Sequence, residues 1–126
     1  MGWKGAVLLM AMMSAPAAAS EARGQFSVVV KPLPAGEDGV ARHSLDKAYT
    51  GDLVATARGT MMSAGDPASG TAGYVAIEQV TGTLAGRPGG FALQHSGQMD
   101  AAGQRLSIGI VPGSGTGALA GITGTL

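Results

Sequence analysis

One phrase returns three times along the chain, as Thr50-Gly-Asp-Leu-Val-Ala55, Thr81-Gly-Thr-Leu-Ala-Gly86 and Thr116-Gly-Ala-Leu-Ala-Gly121. The copies start 31 and 35 residues apart, a period at which self-similarity marks a supersecondary unit that buries its apolar face by packing against its neighbours. Each copy couples a Thr-Gly step to a leucine and reads as a repeated β-turn unit. This constrains architecture far more than chemistry.

The rest of the chain fits that reading. It holds 22 glycines in 126 residues, and it lacks apolar runs at helical spacing, so short strands joined by tight turns are expected. Seven follow in order: Gln25 to Lys31, Arg42 to Tyr49, Asp52 to Met62, Tyr74 to Leu84, Phe91 to Gln98, Arg105 to Val111 and Ala118 to Leu126. Pro34 to Gly39 and Ser63 to Gly73 read as loops, Ala85 to Gly90 and Asp100 to Gly103 as hairpin turns, and Pro112 to Gly117 as a flexible connection. The fold class is all-β, an antiparallel meander that most simply curls into a small up-and-down barrel, because closure removes exposed strand edges. A two-layer sandwich is the alternative.

The N-terminus carries Lys4, an apolar run from Gly5 to Met13 and the small residues Ala17 and Ala19. This is the pattern of a secretory signal peptide over residues 1–19, with cleavage before Ser20 and export to the periplasm or beyond. The run is too short for a membrane anchor, which takes about 20 apolar residues. Residues 20–126 then form a single domain. With no cysteine anywhere, a lipobox, disulfides and thiolate chemistry are all excluded.

Formal net charge is zero and the lysines and arginines are scattered, so no nucleic-acid partner is expected. Two isolated histidines give no metal-binding pattern, and no cofactor is expected. Pro112 to Gly117 lacks the following helix that a phosphate loop requires. Gln94-His95-Ser96-Gly97 lies in a strand, where adjacent side chains point to opposite faces, so it is no hydrolase dyad. His43, beside Arg42 near a loop, reads as solvated.

Three segments taken together, Glu78 to Arg87, Gly90 to Gly97 and Val111 to Gly117 with Leu119-Ala-Gly121, resemble the bacterial domain-of-unknown-function family 3224 over about residues 25 to 126. The resemblance implies an eight-stranded, calycin-like barrel similar to plant allene oxide cyclase, with a central cavity. It also implies a strand beyond Leu126, so the barrel either keeps an open seam or borrows a strand from a second copy.

The chemistry-bearing pair is Glu78 and His95. Placing Leu84 opposite Phe91 puts Val80 opposite His95 and Glu78 opposite Gly97, so that Glu78 and His95 become diagonal neighbours. Only an odd slip would invert the faces. Leu84, Val80, Phe91 and Leu93 share their face, and the next hairpin adds Leu106, Ile108 and Ile110. The lumen candidates are therefore Glu78, His95, Tyr74, Val80, Phe91, Leu93 and Ile108. The expected function is binding of a small hydrophobic molecule, with Glu78 and His95 as polar handles. A cyclase or isomerase acting on a lipid-like substrate, or a structural module with a filled barrel, are the alternatives, and whether the protein is an enzyme is left open.

Overall fold

The computed structural model describes residues 2–12 and 19–126, so Ala17 of the expected cleavage motif lies outside the described residues. The strands are β1 (Gly2–Met12), β2 (Ala19–Leu33), β3 (Ala41–Gly51), β4 (Leu53–Asp66), β5 (Thr71–Leu84), β6 (Arg87–Asp100), β7 (Gly103–Ile110), β8 (Thr116–Gly117) and β9 (Thr123–Thr125). They make one antiparallel, up-and-down sheet in which each strand from β1 to β7 pairs with the next. β1 lies between β2 and β9. No ladder joins β1 to β7 directly. Short β9 spans the seam, meeting β1 over three residue pairs and β7 over one, so no continuous ladder closes the barrel.

Alternation sets the inside and the outside. Leu53, Ala55 and Ala57 of β4 are buried while Val54, Thr56 and Arg58 between them are exposed, the period-2 pattern of a sheet with one face on a core. The β6–β7 hairpin has the expected pairing, with Leu93, His95 and Gly97 opposite Ile110, Ile108 and Leu106.

The β5–β6 hairpin differs from the expectation by four residues: Leu84 pairs with Arg87, and Phe91 with Val80. Ala85 (φ 49°) and Gly86 (φ 79°) are both left-handed, which suits a two-residue turn matched to the twist of the flanking strands. Arg87 to Gly90 is therefore strand rather than loop. The slip is even, so the faces are kept.

Three further expectations are corrected. β4 runs on to Asp66, and a 3₁₀ turn over Pro67–Ser69 leads straight into β5, so the long 63–73 loop is mostly strand. Asp66 closes that turn by accepting from the Ala68 N–H. The 112–117 connection is pinned rather than free: the Ser114 hydroxyl accepts from Ala92 N (3.0 Å) and donates to the Val111 carbonyl (2.6 Å). The last strand shrinks to Thr123–Thr125, because residues 118–122 turn back in two steps, with Leu119 N on Thr116 O and Ile122 N on Leu119 O.

That turned segment stoppers one end of the barrel. Leu119 and Ile122 are each 1% exposed and pack with Phe91, Leu93, Val80 and Tyr49. The repeated phrase explains itself here: its three leucines, Leu53, Leu84 and Leu119, all enter this one cluster. The copies are not one turn repeated, since the connection between β3 and β4 lies within the first phrase whereas the β5–β6 turn follows the leucine of the second.

Candidate functional site

The buried polar residues sit beside the stopper, in the middle of the barrel. Glu78 of β5 is wholly buried and His95 of β6 is 4% exposed. Glu78 lies opposite Leu93, which makes His95, two residues further along β6, its diagonal neighbour. His95 Nε2 is 2.6 Å from Glu78 Oε2, so Nε2 carries the proton and donates to the carboxylate.

Two residues of β3 complete the centre. Lys47 Nζ donates to Glu78 Oε2 at 2.8 Å, and the Tyr49 hydroxyl donates to Oε1. β4 lies between β3 and β5, and it presents Ala55, Ala57 and Gly59 opposite Tyr49, Lys47 and Leu45. These small inward residues leave room for Lys47, Tyr49 and Glu78 to meet across β4. The Lys47 ammonium also lies 4.9 Å from the Phe26 ring centroid, within range of a cation–π contact.

Burial alone would push the Glu78 carboxyl up, but the hydrogen bond from His95, the charge and hydrogen bond of Lys47 and the Tyr49 hydroxyl outweigh it, lowering the pKa from 4.5 to about 2. The phenols of Tyr49 and Tyr74 are pushed up, first by burial and then by the Glu78 charge. The carboxylate is thus held ionised by three donors. A group so satisfied is suited to positioning and to fixing register more than to moving a proton.

A carboxylate with a depressed pKa stabilises the fold above its unfolded pKa, and that contribution is lost as pH falls through the folded value. Acidification from 4.5 toward 2 should therefore remove about 3 kcal/mol of stability through Glu78. Urea unfolding at pH 6 and at successive steps down to pH 2.5 checks this. Flat stability below pH 4.5 would contradict it.

At the end away from the stopper, a cavity of about 540 Å³ opens between the β2–β3, β4–β5 and β6–β7 connections. Val30, Met61, Met99 and Leu106 supply apolar wall, and His43 and Tyr74 supply inward polar side chains, while Gln98 and Arg105 at the rim pair with each other on the alternate face. Tyr74 separates the two regions: its ring lies over Gly97, its cross-strand partner, where a Cβ would collide with it. The ring centroid is 6.4 Å from that of His95.

Among the residues expected in the lumen, Tyr74 lines the cavity and Glu78 and His95 form the ion centre behind it. Val80, Phe91 and Leu93 belong to the stopper cluster, with Ile108 packed against it. Sequence reasoning missed Lys47 and Tyr49, although both share the parity of Leu45 on β3. It also took His43 as solvated, whereas His43 faces the cavity. Among the described residues, no cluster of three or more potential metal ligands occurs.

The fold and its centre define a small antiparallel β-barrel-like protein, stoppered at one end, hollow at the other and crossed by a buried ion centre built on the single carboxylate of Glu78. The chain belongs to the family described as "Protein of unknown function (DUF3224)", which matches residues 22–126. It is similar to the crystal structure of a DUF3224-family protein of unknown function from Shewanella oneidensis MR-1, at 40% identity and a TM-score of 0.72, covering 98% of this chain and 84% of that one. No curated protein matches the chain.

Proposed function

We propose that this is an exported binding protein that holds one small hydrophobic molecule in the hollow end of its barrel. The observation that carries this reading is the cavity itself. Its volume of about 540 Å³ is within the range of small-molecule sites, as is an apolar lining with a few convergent polar groups. Leu106, at its mouth, is 63% exposed, an apolar surface that a ligand would cover. Tyr74 forms the floor, and Glu78 and His95 behind it hold that floor in place.

The leader pattern over residues 1–19 supports export. Cleavage before Ser20 would remove β1 and free the β2 edge along residues 20–29, now paired with β1. Such an edge accepts a strand from another chain, which supports self-association of the mature protein.

Titration of the mature protein with the neutral apolar fluorophore N-phenyl-1-naphthylamine tests the binding reading. Saturable binding of one probe per chain is expected, and it should be abolished by Ala72→Trp, which fills the cavity. Absence of binding, or equal binding by the filled variant, would refute it. Native mass spectrometry of the same sample reports the oligomeric state and any co-purified ligand.

A further inference from the structure

At the hollow end, strand parity separates charge from cavity. One ladder row of inward residues crosses five strands there, as Ala41 of β3, Ser63 of β4, Tyr74 of β5, Gly97 of β6 and Leu106 of β7. The row nearer the mouth runs Gly65, Ala72, Met99 and Gln104. All of these residues line the cavity, and none carries a formal charge at neutral pH.

The charged strand residues at this end take the alternate positions. Lys31 follows Val30, Arg42 lies between Ala41 and His43, Asp66 follows Gly65, Asp100 follows Met99, and Arg105 lies between Gln104 and Leu106. Adjacent side chains on a strand point to opposite faces, so these belong to the outer surface. Arg105 touches the cavity only at its rim, where it pairs with Gln98 and Asp100. Glu37 and Asp38 of the β2–β3 connection do not line the cavity either.

What the interior does hold is neutral hydrogen-bonding groups. Ser63 and Tyr74 are direct cross-strand partners on the inner face, and Gln104 stands at the mouth. Hydroxyls and a carboxamide both donate and accept. His43 lies a row deeper, beside Met61, with its Nδ1 sealed in the wall. Lys47 and Glu78 are matched to each other behind Tyr74, so the ion centre offers a ligand no open charge.

We infer that the molecule held in the cavity is uncharged and carries a hydroxyl or carbonyl group that enters with its apolar body and meets Ser63 and Tyr74. This rests on the cavity being the binding site. An apolar body that covers these hydroxyls takes water from them, and a buried hydroxyl left without a partner is costly. A neutral oxygen on the ligand restores the bond. An ionised head group in the same place would be desolvated with no counter-charge, which costs far more. A carboxylate, phosphate or ammonium must therefore keep its head in water and withdraw part of its chain.

Displacement of N-phenyl-1-naphthylamine by decan-1-ol, decanoate and decylamine, each at neutral pH and below its micellar concentration, tests this. Decan-1-ol should act at a concentration at least about tenfold lower than either ion, the equivalent of about two more methylenes held inside. Ser63→Ala and Tyr74→Phe should each weaken decan-1-ol about three- to tenfold, the scale of one neutral hydrogen bond, and move the two ions less. Gln104→Lys, which sets a cation on the inner face at the mouth, should bring decanoate level with decan-1-ol or ahead of it. Ser107→Lys, at an exposed outward position of β7, should not change the order. Equal action of the three competitors on the parent protein, or a lead by either ion, would overturn the assignment while the cavity reading stands. So would unchanged decan-1-ol action in both Ser63→Ala and Tyr74→Phe, or identical behaviour of the two lysine variants. If the probe does not bind at all, the cavity reading fails and takes this inference with it.

Discussion

Glu78→Gln should cost about 3 to 5 kcal/mol of folding stability, the scale for removing one partner of a buried ion pair. The substitution keeps the shape and deletes the charge that three donors converge on. Lys47, whose side chain is only 9% exposed, then keeps an ammonium in the barrel with no counter-charge. The amide also turns one of its two ends into a donor facing donors, because Lys47, Tyr49 and His95 all give hydrogen bonds to Glu78. Urea unfolding at pH 7 reads the loss. Lys47→Met in the Glu78→Gln background should recover part of it, since the stranded charge is gone, and the cycle should show a coupling of roughly 1 to 3 kcal/mol. Additive effects would mean that the centre is not a unit.

The fold was readable because alternation survives errors of register. The β5–β6 pairing is four residues from the expected one, yet Glu78, Val80, Leu84, Phe91, Leu93 and His95 still share a face, and Glu78 and His95 still meet on a diagonal. The misplaced element was Arg87-Pro88-Gly89-Gly90. Its composition is that of a loop, but Ala85 and Gly86 complete the turn before it begins. Pro88 fits in the strand beside Thr83, and its carbonyl accepts from Ala118 N (2.8 Å). Tertiary pairing, which composition does not encode, decided that segment.

The ion centre was half readable for a similar reason. Glu78 and His95 stood out as polar residues on an apolar strand face, whereas Lys47 sits on a strand where Arg42, His43, Asp46 and Lys47 made polarity look ordinary. The signal was parity with Leu45 and Tyr49, together with the small Ala55, Ala57 and Gly59 that clear the way across β4. Of the hollow end, only Tyr74 was readable, and its position in the barrel was not. It depends on which inward positions are left unfilled, and that follows from Leu119 and Ile122 folding over the opposite end.

Phe91→Ala, at the stoppered end, should cost about 3 to 5 kcal/mol, the range for deleting a fully buried aromatic side chain. Phe91 is 2% exposed and belongs to the cluster that Leu119 and Ile122 cap, so the space it leaves is enclosed by packed neighbours that can collapse only partly. For a domain of this size that is a large share of a typical stability of about 5 to 15 kcal/mol. Ile77→Ala on β5 provides the contrast. Ile77 is 46% exposed on the outer face, and its truncation should cost no more than about 0.5 kcal/mol, as surface changes usually do. Urea unfolding of the two variants side by side reads the difference. Because Phe91 is not among the cavity-lining residues, the folded Phe91→Ala protein should bind N-phenyl-1-naphthylamine as the parent does. Comparable losses from the two substitutions would mean that the inner and outer faces of the sheet have been assigned wrongly, and weakened probe binding by folded Phe91→Ala would mean that the stopper and the cavity are not separate compartments of the barrel.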